Sequence, residues 1–89
     1  MSTLVKRKDI CRMLGISPSK VNFYTSEGLF PLEGRTQGGY GLYDAEKVRS
    51  RFARITELKD ERLTISEIRE RILEEERERD QFLELKFEN

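Results

Sequence analysis

A mostly helical domain of four helices and one small β-hairpin is the fold class this 89-residue sequence predicts, on three observations. Apolar residues recur at helical spacing in four separate segments. Gly15 and Gly28 each fall just past such a segment, where a helix commonly ends. Between Leu29 and Tyr43, Gly34, Gly38, Gly39 and Gly41 make a continuous helix untenable and favour tight turns.

The first helix pattern begins at Asp9, with Ile10, Met13 and Leu14 at i, i+3, i+4 on one face, and Gly15 stops it. Ser17 then offers an N-cap hydroxyl, and Pro18 follows at N1, where its missing N–H costs nothing. This second helix runs to about Glu27 and Gly28 closes it. Two short helices around a glycine-containing turn have the spacing of a helix-turn-helix. Arg35-Thr36 and Tyr40-Gly41-Leu42 flank Gln37-Gly38-Gly39 and read as a short hairpin. A hairpin directly after a helix-turn-helix is a wing, so the architecture is a winged helix-turn-helix.

Asp44 caps the third helix, in which Val48, Phe52, Ile55 and either Leu58 or Lys59 repeat at helical spacing. A break at about residues 60–63 separates it from the fourth. Thr64-Ile65-Ser66-Glu67 is a capping box, the Thr64 oxygen and Glu67 carboxylate each satisfying an unpaired backbone N–H. Ile65, Ile68 and Ile72 form the buried stripe. Residues 74–81 contain no apolar side chain, and Phe82, Leu83, Leu85 and Phe87 restore some. The expected division is therefore a winged helix-turn-helix domain over 1–73 and a charged helical extension over 74–89.

The net charge of zero conceals an asymmetry. Residues 1–59 hold 11 Lys and Arg against 6 Asp and Glu, a net of +5, and residues 60–89 hold 6 against 11, a net of −5. A basic front and an acidic rear suit a protein that offers one face to a polyanion, although charges also cluster on solvated helices. No stretch approaches the roughly 20 apolar residues of a membrane helix, and no signal peptide is expected. The lone Cys11 cannot form an internal disulfide, which points to a reducing, cytoplasmic setting. With no histidine there is no metal-ligand set and no Cys–His pair, and no glycine-rich loop runs into Lys-Ser/Thr. The expectation is a binding protein without cofactor or metal, and not an enzyme. Glu74, Glu75 and Glu76, near Arg71, Arg77 and Arg79, read as a salt-bridged helix surface.

The order helix-turn-helix, wing, helix, helix resembles the MerR family of bacterial transcription regulators. Leu14-Gly15-Ile16-Ser17 looks like the family's first turn, and Val21-Asn22-Phe23-Tyr24 with Glu27-Gly28-Leu29 like its recognition helix and exit. Arg35 with Gly39-Tyr40-Gly41-Leu42-Tyr43-Asp44 looks like its wing, and Thr64 to Ile68 like the entry to its fourth helix. The resemblance spans roughly residues 4–73 and implies duplex DNA as partner, a place at the bacterial nucleoid, and regulation by distorting promoter DNA. The chain departs from it at Asn22 and Gly41, where the family usually has arginines at the DNA backbone, and at Phe23, where a tyrosine is common. Two charge-assisted phosphate bonds per subunit are thereby missing.

The expected DNA-contacting residues are Ser19, Lys20, Asn22, Phe23, Tyr24, Arg35 and Tyr40. Ser19 and Lys20 lie in the first turn of the recognition helix, the part that reaches base edges. Lys20, Asn22 and Phe23 should point away from an inward stripe of Val21, Tyr24 and Gly28, and Asn22 can bond adenine through both amide atoms. Tyr24 belongs to that stripe by spacing and to the contact set by resemblance. Arg35 and Tyr40 bracket the wing tip within reach of phosphates, and Tyr40 and Tyr43 could also pack the hairpin onto the third helix. Lys6, Arg7 and Lys8 either grip the backbone or form a solvated terminus. Self-association is expected to be weak and promoted by DNA. No effector domain is expected after residue 73, whether the chain acts alone or was cut from a larger sensor. The alternatives are a protein-interaction module, or a phage- or plasmid-type architectural factor, with weakened DNA affinity.

Overall fold

The computed structural model describes residues 3–87, and side chains as far as residue 81. In chain order it holds β1 (Leu4–Val5), α1 (Arg7–Leu14), α2 (Pro18–Ser26), β2 (Leu32–Arg35), β3 (Gly41–Asp44), α3 (Ala45–Asp60) and α4 (Ile65–Phe87). Four helices around a small antiparallel sheet make a winged helix-turn-helix.

Local signals set most boundaries. Gly15 takes the left-handed conformation at φ 68°, and the N–H groups of Gly15 and Ile16 both return to the Cys11 carbonyl, closing α1. Cys11 itself is partly buried against the core. The Ser17 hydroxyl accepts from the Lys20 N–H at 3.2 Å, opening α2 with Pro18 behind it. Asp44 accepts from the N–H groups of Glu46 and Lys47, opening α3. Thr64 and Glu67 exchange both bonds of their box, the Thr64 N–H donating at 2.9 Å and the Glu67 N–H at 3.2 Å.

The sheet has one strand more than the expected hairpin. β1 pairs antiparallel with β3, Leu4 opposite Asp44 and Val5 opposite Tyr43, giving the order β1-β3-β2. Two residues are too short to show an alternating pattern, which is why the strand is silent in the sequence. On the other side Leu32 faces Tyr43 and Gly34 faces Leu42, so Glu33 is an extra residue bulged from β2.

Ile10 of α1, Val21 and Tyr24 of α2, Leu29, Phe30, Tyr43, Val48, Ile55, Leu58, Ile68 and Ile72 form one contiguous core. Leu58, not Lys59, completes the α3 stripe. Phe52 and Ile65 pack at the edge of this core as half-buried residues. The Tyr24 and Phe30 rings lie 5.0 Å apart, and Phe52 meets both at 6.4 Å.

α4 runs 23 residues and passes residue 73 without a break. Of the three glutamates expected to pair along α4 itself, Glu75 and Glu76 pair across to α3. Arg54 Nε and Nη2 donate to the two oxygens of Glu75 at 3.0 and 2.6 Å. Arg51 Nε donates to Glu76 Oε1 at 3.1 Å, and its Nη2 to the second oxygen. Glu75 and Glu76 of the acidic half are thereby held against α3. Phe82, Leu83, Leu85 and Phe87, expected to restore an apolar surface, lie outside the residues whose side chains are described.

Candidate nucleic-acid interface

α2 divides its side chains by period. Val21 and Tyr24 turn inward, and Ser19, Lys20, Asn22 and Phe23 stand exposed on the opposite face, Phe23 with 45% of its surface in solvent. Tyr24 corrects the expected contact set. It is 2% exposed, and its hydroxyl accepts from Lys59 Nζ at 3.4 Å, so its ring serves the core and has no surface left for DNA.

The wing is built around its turn. Thr36 N–H donates to the Tyr40 carbonyl and Gly39 N–H to the Thr36 carbonyl, both at 2.9 Å, while Tyr40 N–H donates to the Thr36 hydroxyl at 3.1 Å. Gly39 sits at φ 86°, a conformation that favours glycine. Arg35 Nη1 donates to the Gly39 carbonyl at 3.2 Å, fixing the guanidinium beside the tip. Tyr40 is 65% exposed, and Lys6 Nζ stands 5.2 Å from its ring centroid.

Between α2 and the wing lies an open concavity of about 710 Å³. Lys6, Arg7 and Lys8 line it from the start of α1, Asn22 and Thr25 from α2, and Leu32, Arg35, Gly39, Tyr40, Gly41 and Tyr43 from the hairpin. Four cations line this space and, among the described residues, no carboxylate does. Of the expected residues, Asn22, Arg35 and Tyr40 are brought together here. Ser19, Lys20 and Phe23 stay on the exposed face of α2 outside the lining.

Two features of this surface are invisible in one dimension. Thr25 donates to the Val21 carbonyl at 2.8 Å, so the 2.7 Å bond between its hydroxyl and that of Tyr43 has Tyr43 as donor. That bond ties α2 to the central strand. Leu32 lies over Gly41, its Cδ2 only 2.6 Å from where a Cβ on residue 41 would stand. Among the described residues no group of His, Cys, Asp or Glu is placed to hold a metal ion. No helix among them is long and apolar enough to cross a membrane.

The model of the family described as MerR HTH family regulatory protein matches residues 6–75. That match covers both helices of the helix-turn-helix, the wing, α3 and the docked part of α4. The chain belongs to the MerR family. It is thus a helix-turn-helix domain of a DNA-binding, transcription-regulating family, which is not a family of enzymes. No curated relative matches the sequence. In this MerR domain the paired helices are α1 and α2, and the cationic concavity lies between the second of them and the wing.

Proposed function

We propose that this MerR-family chain binds duplex DNA through α2 and the hairpin and acts as a transcription regulator. In this reading α2 enters the major groove with Ser19, Lys20 and Phe23 foremost, and the wing lies alongside on the sugar–phosphate backbone. The observation that carries it is that four cations and, among the described residues, no carboxylate line the concavity beside the exposed face of α2. A polyanion recovers there the Coulomb energy that the crowded cations cost the free protein. The acidic side chains of α4 that are engaged with α3 do not compete for this space.

Binding that neutralises about 3–5 phosphates per subunit gives a slope of log affinity against log salt near −3 to −5. A titration on random and selected duplexes at several salt concentrations tests this. Binding without salt dependence, or none at about 50 mM salt, would leave a protein-interaction module as the better account. Self-association is weak without DNA in this reading, because residues 74–81 supply no apolar seam for a coiled coil. Sedimentation at micromolar concentration then shows chiefly monomer, with two or more copies per duplex once DNA is added.

A further inference from the structure

Arg7 and Asn22 are 15 residues apart in sequence and meet at the edge of the concavity, where Arg7 Nη1 donates to Asn22 Oδ1 at 3.1 Å. An arginine can only donate, so this bond fixes which way the Asn22 amide faces: oxygen toward Arg7, nitrogen away. Reading adenine takes both amide atoms in one plane, the oxygen accepting from the base and the nitrogen donating to it. Asn22 has its oxygen engaged within the protein. Arg7, by contrast, uses one of its five N–H groups on Asn22, and no ion pair to a carboxylate is among those formed by the described residues. Both side chains are exposed, and both line the space that holds Lys6, Lys8 and Arg35.

We propose that Arg7 is a phosphate-binding residue of this surface and that Asn22 is its positioning residue, not a reader of a base. The assignment rests on the duplex-binding reading above. A free arginine samples many rotamers and loses that freedom on binding a phosphate. Anchoring one nitrogen from the recognition helix removes part of the cost in advance and leaves the other donors of the fork for the anion. The first residue of α1 thereby acts with α2 at the backbone, and the sequence-reading work falls to the first turn of α2.

The test is duplex titration at several salt concentrations with the wild-type chain, Arg7→Ala, Arg7→Lys, Asn22→Ala and the double alanine variant, on one selected duplex and its single-base-pair substitutions. Both positions are exposed, and thermal melting checks that each of the four variants is folded. Arg7→Ala should weaken binding about tenfold and make the salt slope shallower by about 0.9 per subunit. Arg7→Lys should restore the slope without all of the affinity, since a lysine keeps the charge and lacks the fork. Asn22→Ala should cost about threefold when Arg7 is present and nothing further when it is absent. It should leave the order of preference among the substituted duplexes unchanged. An unchanged slope in Arg7→Ala, with wild-type binding intact, overturns the assignment and leaves the duplex reading standing. So does a preference lost at a single base pair in Asn22→Ala, which would make Asn22 a base reader. A wild-type chain that does not bind the duplex removes both readings together.

Discussion

The Arg51 guanidinium grips both carboxylate oxygens of Glu76 and, through Nη1, donates to the carbonyls of Gly28 and Leu29 at 3.2 and 3.0 Å. It is 7% exposed and the one charged side chain in the buried set of described residues. A single cation thus joins α3, α4 and the chain leaving α2. Replacing it with methionine removes the charge and leaves two carbonyls and a half-buried carboxylate without their donor. Arg51→Met should therefore cost about 3 kcal/mol in denaturant unfolding. Arg54→Met, whose pair with Glu75 is a third exposed, should cost less than about 1 kcal/mol. Equal losses in the two variants would mean that the bonds to Gly28 and Leu29 contribute little.

Acid should weaken the same part of the fold, with a defined sign. The bidentate bond from Arg54 holds the Glu75 carboxyl below the usual glutamate range, and the Thr64 backbone N–H does the same for Glu67. A carboxyl with a depressed value in the folded state stabilises above its unfolded value of about 4.3 and loses that contribution as pH falls through the folded value. The melting temperature should hold level from neutral to mildly acid conditions and decline below about pH 4.5. A Glu75→Gln variant should start lower and decline less steeply. A decline as steep as that of wild type would show that Glu75 does not contribute to it.

Contacts with DNA should separate from stability at Lys20 and Arg35. Both are exposed, and removing either side chain should leave stability within about 0.5 kcal/mol of wild type. Lys20→Ala and Arg35→Ala should each lower duplex affinity. Unfolding of the Arg35 variant would show instead that its bond to the Gly39 carbonyl is needed to form the wing.

Gly41 offers a route to tighter binding that Leu32 obstructs. A Cβ at residue 41 would meet Leu32 Cδ2 at 2.6 Å, so an arginine there forces the leucine aside. Asn22→Arg would supply the other arginine usual in the family, but it would break the anchor on Arg7 and set a second guanidinium beside it. Gly41→Arg alone should therefore gain little affinity, and Gly41→Arg with Leu32→Ala should gain about tenfold through a new fork on phosphate. The same gain from the single variant would show that Leu32 moves freely.

What was legible in the sequence follows from the range of each interaction. Caps, glycine stops and apolar periodicity act over three or four residues, so Ser17, Gly15, Asp44 and the Thr64–Glu67 box announced their elements directly. Period also placed Tyr24 with Val21 on the inward face, and the core confirms that placement over the contact role the resemblance suggested. Arg51 lies three residues beyond Val48 and four before Ile55, on the buried face of α3, but its partner Glu76 is 25 residues away and nothing local marks it. Arg62, which turns the chain between α3 and α4 at φ 64°, was hidden because no glycine stands there. The basic trio at residues 6–8 could be read either way, since only the fold brings it beside Asn22 and the wing.

In the proposed mode duplex DNA lies against the concavity between α2 and the wing. Amide chemical-shift mapping of the full chain during titration with a selected duplex locates that contact residue by residue. The largest changes should fall at Arg7, Lys20, Asn22, Arg35, Gly39 and Gly41, with little change along residues 74–79 of α4. Changes concentrated on α4, with α2 and the hairpin unmoved, would contradict it.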